Sequence, residues 1–189
     1  MFDRTVPNIE LAMRLESLEQ LSVFELPARY GWRFYRDGDE REWARIERSA
    51  GEFASVEEGV EVFWRQFSSV EALRRRMIFL TEGDRPFATA TAWFGEGNVS
   101  SDLGRLHWVG IEKDHQGRNL CRPLVSRAMQ VMRSLGHSSA FLTTQTNSWV
   151  AIRVYRQFGF LPRHCLNRDL EGWKIVSEKT QIDFTKDIR

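Results

Sequence analysis

The second half of the chain switches repeatedly between two hydrophobic periods, and this switching most restricts what it can fold into. Leu106 to Ile111 reads as a strand. Leu120, Leu124, Ala128, Met132 and Leu135 then recur at three- and four-residue steps, the period of an amphipathic helix, and Gly136 ends it. Ser139 to Thr143 has the character of a buried strand. Ser148 to Phe158 reads as a short helix capped by Asn147 and closed by Gly159, and Phe160-Leu161 opens another strand. Strand–helix–strand crossovers of this kind require at least one parallel strand pair.

The first half supplies the remaining elements. Ile9 to Met13 alternates and suits a short strand, while Pro7 and Pro27 bracket the segment and exclude one long helix. Tyr30 to Tyr35 is an aromatic-rich strand. Asp37 to Glu40 gives a turn and a helix start, with Trp43 and Ile46 at helical spacing behind it. Ser55 opens a second helix whose apolar face is Val60, Phe63, Trp64 and Phe67, and Val70 to Arg76 adds further helical turns. Met77 to Leu80 and Phe87 to Phe94 flank the turn signal Gly83-Asp84 and form a hairpin. Gly95 to Ser101 is a loop, and Leu170 to Val176 contains the last strand. The expectation is an N-terminal arm over 1–28 and one domain over 29–189.

Composition narrows the classes of function. A formal net charge of +1 over 189 residues gives no overall bias toward nucleic acid or an anionic membrane. No apolar stretch approaches a membrane span, and the N-terminus lacks a signal-peptide core, so the expected location is cytoplasmic. Two cysteines, Cys121 and Cys165, are too few for a disulfide framework. The four histidines are scattered without metal-site spacing.

The segment Val109-Gly110-Ile111-Glu112-Lys113-Asp114-His115-Gln116-Gly117-Arg118-Asn119-Leu120-Cys121 has the form of an anion cradle. A β-branched strand ends, a polar turn follows, and a long helix starts near Asn119, aiming backbone N–H groups and a helix dipole at one point. Gly117 lets the backbone approach a ligand, and Arg118 can pair with a phosphate.

This segment resembles the loop with which the GNAT superfamily of acyltransferases wraps the pyrophosphate of coenzyme A, an Arg/Gln-x-x-Gly-x-Gly/Ala pattern followed by a long helix. The matching positions are Gln116, Asn119 and Cys121. Asn119 stands where the family usually has Gly, and Cys121 where it has Gly or Ala. Asn tolerates left-handed backbone angles better than other non-Gly residues, and Cys is small. Asn147 to Phe160 resembles the family's Asn-x-x-Ala-x-x-x-Tyr-x-x-x-Gly-Phe segment at Ala151, Tyr155, Gly159 and Phe160, with Asn147 one residue further from Ala151 than the pattern's spacing. The resemblance covers roughly residues 29–165.

The resemblance implies an α/β fold, a mixed, twisted and partly splayed sheet with helices on both faces. It implies an N-acetyltransferase that moves an acetyl group from acetyl-CoA to a primary amine of a small molecule or peptide. Val109 and Ile111 would hold the pantetheine arm like an added strand. Gly110 and Leu120 belong to the same cofactor-binding run, and Asn147 would fix the arm. Tyr155 would protonate the departing thiolate. For the base, His107 lies on the strand leading to the cofactor, and strict alternation puts it on the face of Val109 and Ile111. Glu47, Glu52 and Asp102 are further candidates. Trp43, Phe53, Phe63, Trp64 and Trp93 would give the acceptor an apolar surround or fill the core. The rival reading is a non-catalytic acyl-CoA-binding module. Exposed edge strands near the C-terminus would suit a homodimer.

Overall fold

The structure is a computed structural model that describes residues 3–95, 102–163 and 168–188. The chain divides into two compact units. One comprises Met1–Ser22, Phe94–Arg105 and Gly136–Arg189; the other comprises Val23–Trp93 and Leu106–Leu135.

In the first unit, β1 (Glu10–Leu15) lies between β6 (Ser139–Gln145) and β7 (Leu161–Arg163), antiparallel to both, with Met13 opposite Leu142 and Pro162. The N-terminal segment is thus built into the sheet rather than laid over it. The helices here are α5 (Trp149–Gln157) and α6 (Asp169–Thr180). The expected last strand over Leu170 to Val176 is α6 instead. Its inward residues, Trp173 and Val176, are three apart and fully buried while Leu170 is half exposed, which is a helical and not a two-residue period. Trp173 stacks on Phe184 at 5.6 Å. A Cβ at Gly172 would meet Leu11 Cδ2 at 2.8 Å and Thr146 Cγ2 at 3.1 Å, so the helix sits too close to β1 for any larger residue.

In the second unit, β2 (Tyr30–Phe34), β3 (Met77–Glu82) and β4 (Arg85–Phe94) form an antiparallel meander. Its helices are α1 (Glu40–Ala50), α2 (Val56–Gln66), α3 (Val70–Arg76) and α4 (Cys121–Ser134). Ser55 and Ser69 cap α2 and α3, accepting from Glu58 N at 3.1 Å and Ala72 N at 3.2 Å. Trp43, Phe63, Phe67 and Phe79 form an aromatic core, with rings meeting edge to face: Trp43 lies 5.2 Å from Phe63 and 5.9 Å from Phe67.

Strand β5 (Leu103–Ile111) is shared: Leu103, Gly104 and Arg105 pair in parallel with Ser139, Ala140 and Phe141 of β6. The strand order is β2-β3-β4-β5-β6-β1-β7. This is the mixed, helix-flanked sheet of the expected fold class, with the parallel pair that the crossover pattern required.

Candidate functional site

Strand β5 carries two irregularities. Its ladder with β6 stops at Arg105, leaving the rest of the strand outside that pairing. At Trp108 the backbone enters the left-handed region, φ 48°, which a bulky residue adopts only when its surroundings enforce it. The enforcement is aromatic. Trp108 packs at 5.0 Å on Trp43 and 5.7 Å on Phe53, while the preceding His107 packs at 5.8 Å on Phe67. Two consecutive side chains therefore reach one aromatic cluster, the signature of a bulge. Strict alternation from His107 to Val109 and Ile111 is therefore broken at Trp108. His107 is buried, and its Nε2 lies 3.2 Å from Gln66 Oε1.

After β5 the chain is held tightly. Glu112 N donates to Phe87 O at 2.9 Å, and the buried Glu112 carboxylate accepts from Arg45 and, at 2.9 Å, from Arg85. Gln116 Nε2 donates to Ile111 O at 2.8 Å, closing the loop on the strand it left. His115 stacks on Phe87 with ring centroids 4.1 Å apart. The Arg118 guanidinium donates to Asp114 O at 2.7 Å and stays at the surface.

The loop's conformation is what the anion-cradle reading requires. Gly117 has φ +76°, and Asn119 has φ 59°, so Asn holds the left-handed turn at the position where the related pattern has Gly. The 14-residue α4 then begins with Leu120 as its N-cap, without a side-chain cap and without an acidic residue in the first turn. Its own first turn therefore leaves the positive end uncompensated. These residues fit a pyrophosphate. Cys121 is partly exposed at the start of α4, yet desolvation pushes its thiol up to about 11. A reactive thiolate there is thereby disfavoured.

The second motif-bearing segment, Asn147 to Phe160, lies in the other unit. Asn147 sits in a single 3-10 turn, Thr146–Ser148, and Ser148 rather than Asn147 is the N-cap of α5, with no side-chain capping bond. The 3-10 turn displaces Asn147 one position upstream of the cap. Its Oδ1 is buried without a partner, while its backbone carbonyl accepts from Asp3 N at 2.8 Å. An orphaned amide oxygen of this kind asks for a donor. Tyr155 is buried on α5 with its ring 6.2 Å from Phe160. Gly159, φ +90°, ends the helix as expected.

Glu47 is the residue that sequence reasoning undervalued. It is 1% exposed, Oε1 has no hydrogen-bond partner, and burial pushes its carboxyl well above the usual range, with the Glu52 charge adding to the shift. The available signal was its four-residue spacing from Trp43, which puts a carboxylate on the buried face of α1. Asp102, by contrast, is exposed, and its carbonyl accepts from Ser138 N at 2.8 Å. Among the described residues no group of three His, Cys, Asp or Glu could hold a metal ion, and no helix is long and apolar enough to cross a membrane. The expected loop Gly95–Ser101 lies mainly, and His164 and Cys165 lie wholly, outside the described residues.

The same fold occurs in a GCN5-related N-acetyltransferase from Sphaerobacter thermophilus. That match has TM-score 0.66 and 20% identity, and covers 83% of this chain and 49% of that one. It occurs also in the ribosomal-protein-S18-alanine N-acetyltransferase from Escherichia coli, with TM-score 0.55, 19% identity, and 69% and 76% coverage. The sequence profile of the acetyltransferase (GNAT) family matches residues 23–160, and the chain belongs to that family. A curated relative is the mycothiol acetyltransferase of Corynebacterium aurimucosum, 24% identical over 179 residues. The match takes in 86% of this chain but only 52% of that protein, so the chain spans about half its length.

Proposed function

We propose that this chain transfers an acetyl group from acetyl-CoA to a primary amine. The observation that carries the reading is the uncapped, acid-free start of α4, delivered by a loop with left-handed Gly117 and Asn119. The N–H groups of this turn are suited to the pyrophosphate, with Arg118 at its edge. Bound acetyl-CoA would supply an activated thioester carbonyl. Beyond the bulge, β5 at Val109, Gly110 and Ile111 lies outside the ladder with β6, and this stretch suits an extended amide-bearing arm by strand addition. The resemblance implies a cofactor-binding role for Asn147, and its buried Oδ1 has no partner. Tyr155 takes the role implied for it, donating the phenolic proton to the leaving sulfur. Positioning of two bound substrates supplies most of the rate.

The mycothiol acetyltransferase relatives bear on the acceptor only as a class. At this identity and coverage they support acetyl transfer, and the acceptor proposed here is an amine of a small molecule or peptide. The left-handed Asn119 favours a working loop over a degenerate one. Calorimetric titration with acetyl-CoA, and with free CoA for comparison, tests the reading. Micromolar binding is expected. Absence of binding at millimolar ligand would remove the enzyme reading for this chain. With binding established, Tyr155→Phe should lose turnover and keep affinity within about threefold, as expected for a proton donor that binds little.

A further inference from the structure

The buried carboxylate of Glu47 is the charged group in the second unit with the least structural reason to be there. Trp43 and Glu47 share one face of α1; Trp108 and Gly110 are two apart on β5 and meet that face. Trp108 lies 5.0 Å from Trp43, and a Cβ at Gly110 would fall 2.5 Å from Glu47 Oε1 and 2.7 Å from Oε2. The carboxylate therefore lies directly on the strand backbone just past the bulge. Glu52, from the turn after α1, reaches solvent while its charge is felt at Glu47. Neither carboxylate forms an ion pair with a described residue. The part-buried rings of Phe53 and Trp108, 5.7 Å apart, stand beside them. A buried acid without an ion pair among the described residues is costly, and such a group is retained where a ligand supplies the opposite charge.

We propose that Glu47 is the acceptor-side catalytic residue. It would receive a primary ammonium group carried on an apolar or aromatic stem and take one of its protons, with Glu52 drawing the cation in from solvent. This deepens, and rests on, the amine-acetylation reading. The balance is simple. One N–H proton passes to Glu47 and is released to solvent, and the freed lone pair forms the C–N bond. The C–S bond breaks, and the nitrogen's second surplus proton ends on the sulfur. An arriving ammonium also lowers the cost of ionising Glu47, so the base is generated when its substrate is present. His107 is less suited, because its Nε2 is occupied by Gln66 and its ring is packed on Phe67.

The test uses the full chain, labelled with 13C at glutamate carboxyl carbons and titrated with 2-phenylethylammonium, with 2-phenylethanol as the uncharged comparison. The Glu47 signal is identified by its loss in Glu47→Gln. The expected result is a Glu47 titration midpoint that falls on adding the ammonium but not the alcohol, and amine affinity at least tenfold weaker in Glu47→Gln. Gly110→Ala, which pushes the carboxylate aside and keeps its charge, should weaken amine binding likewise. Acetyl-CoA affinity of Glu47→Gln should stay within threefold of the parent, and the acid limb of its pH–rate profile should disappear. An unmoved Glu47 signal, or equal amine affinity in parent and Glu47→Gln, would overturn the inference whether or not acetyl-CoA binds. Failure of acetyl-CoA binding alone would instead sink the acetylation reading.

Discussion

The Glu47 carboxylate occupies the space that a side chain at residue 110 would need: Oε1 would sit 2.5 Å from a Cβ built on Gly110. Glycine at 110 and glutamate at 47 are thus one feature, a backbone left bare so that a buried acid can lie on it. Gly110→Ala is expected to cost about 1–3 kcal/mol through overpacking. The cost should shrink markedly in a Glu47→Ala background, where the clash is gone. Chemical denaturation of the four proteins of this double-mutant cycle measures the coupling. Additive effects would mean that the two residues are independent.

Burial of Glu47 also sets a pH dependence. Its carboxyl is raised above an ordinary value of 4.5, and Glu52 is raised in the same direction by desolvation. A raised acid binds its proton more tightly in the folded state. Its contribution to stability is therefore fully present below pH 4.5 and is lost as pH rises through the folded-state value. Glu47→Gln should flatten this part of the stability–pH curve and raise the unfolding midpoint near pH 8 relative to the parent. Denaturant midpoints from pH 5 to 8.5 check it, and an unchanged slope contradicts it.

Most of the architecture could be read from residue patterns, and the exceptions have local physical causes. The 3.6-residue period of Leu120 to Leu135 and the alternation of Leu11 and Met13 survive because the apolar residues that set each pattern are themselves buried. Leu170 to Val176 misled because a short apolar run does not distinguish strand from helix; the distinction lies in the packing of Trp173 and Val176. The bulge at Trp108 was invisible because it is imposed by Trp43 and Phe53, which are distant in sequence. The loop from Glu112 to Leu120 was legible since glycine and asparagine advertise left-handed turns. The environment of Glu47 was not, since an acid on a helix reads by default as solvated.

The cysteine at the head of α4 makes a chemical prediction. With its thiol pushed up to about 11, roughly a thousandth is thiolate at pH 8. In a Cys165→Ser background, alkylation of Cys121 by iodoacetamide should run far slower than that of a free thiol and accelerate as pH rises above 9. Rapid labelling at neutral pH would show an activated thiolate and reopen a nucleophilic role.

Thr146 ties the N-terminal segment to the residue before Asn147. Its hydroxyl accepts from Ile9 N at 2.9 Å and donates to Pro7 O, and its own N–H donates to Ile9 O at 2.9 Å. The side chain is fully buried. Thr146→Val keeps the shape but strands the buried Ile9 N–H and the part-buried Pro7 carbonyl, and should destabilise the chain by about 1–3 kcal/mol. Because the 3-10 turn that carries Asn147 starts at this residue, acetyl-CoA affinity should fall as well. Unfolding and calorimetry on one sample separate the two effects. Full affinity in a destabilised variant would show that the arm supports the fold without positioning Asn147.

Asn119 decides whether the cradle works as built. At φ 59° an alanine pays the left-handed penalty of about 1 kcal/mol, asparagine pays less, and glycine pays almost none. If the loop's shape is what binds the pyrophosphate, acetyl-CoA affinity should follow the same order. Asn119→Gly should bind as tightly as the parent or tighter, and Asn119→Ala several-fold more weakly. The loss should appear with free CoA as well as acetyl-CoA, because both carry the pyrophosphate. Were Asn119 instead a direct ligand through its amide, Asn119→Gly and Asn119→Ala would weaken binding alike, so titrating the three proteins with both ligands separates backbone shape from side-chain contact.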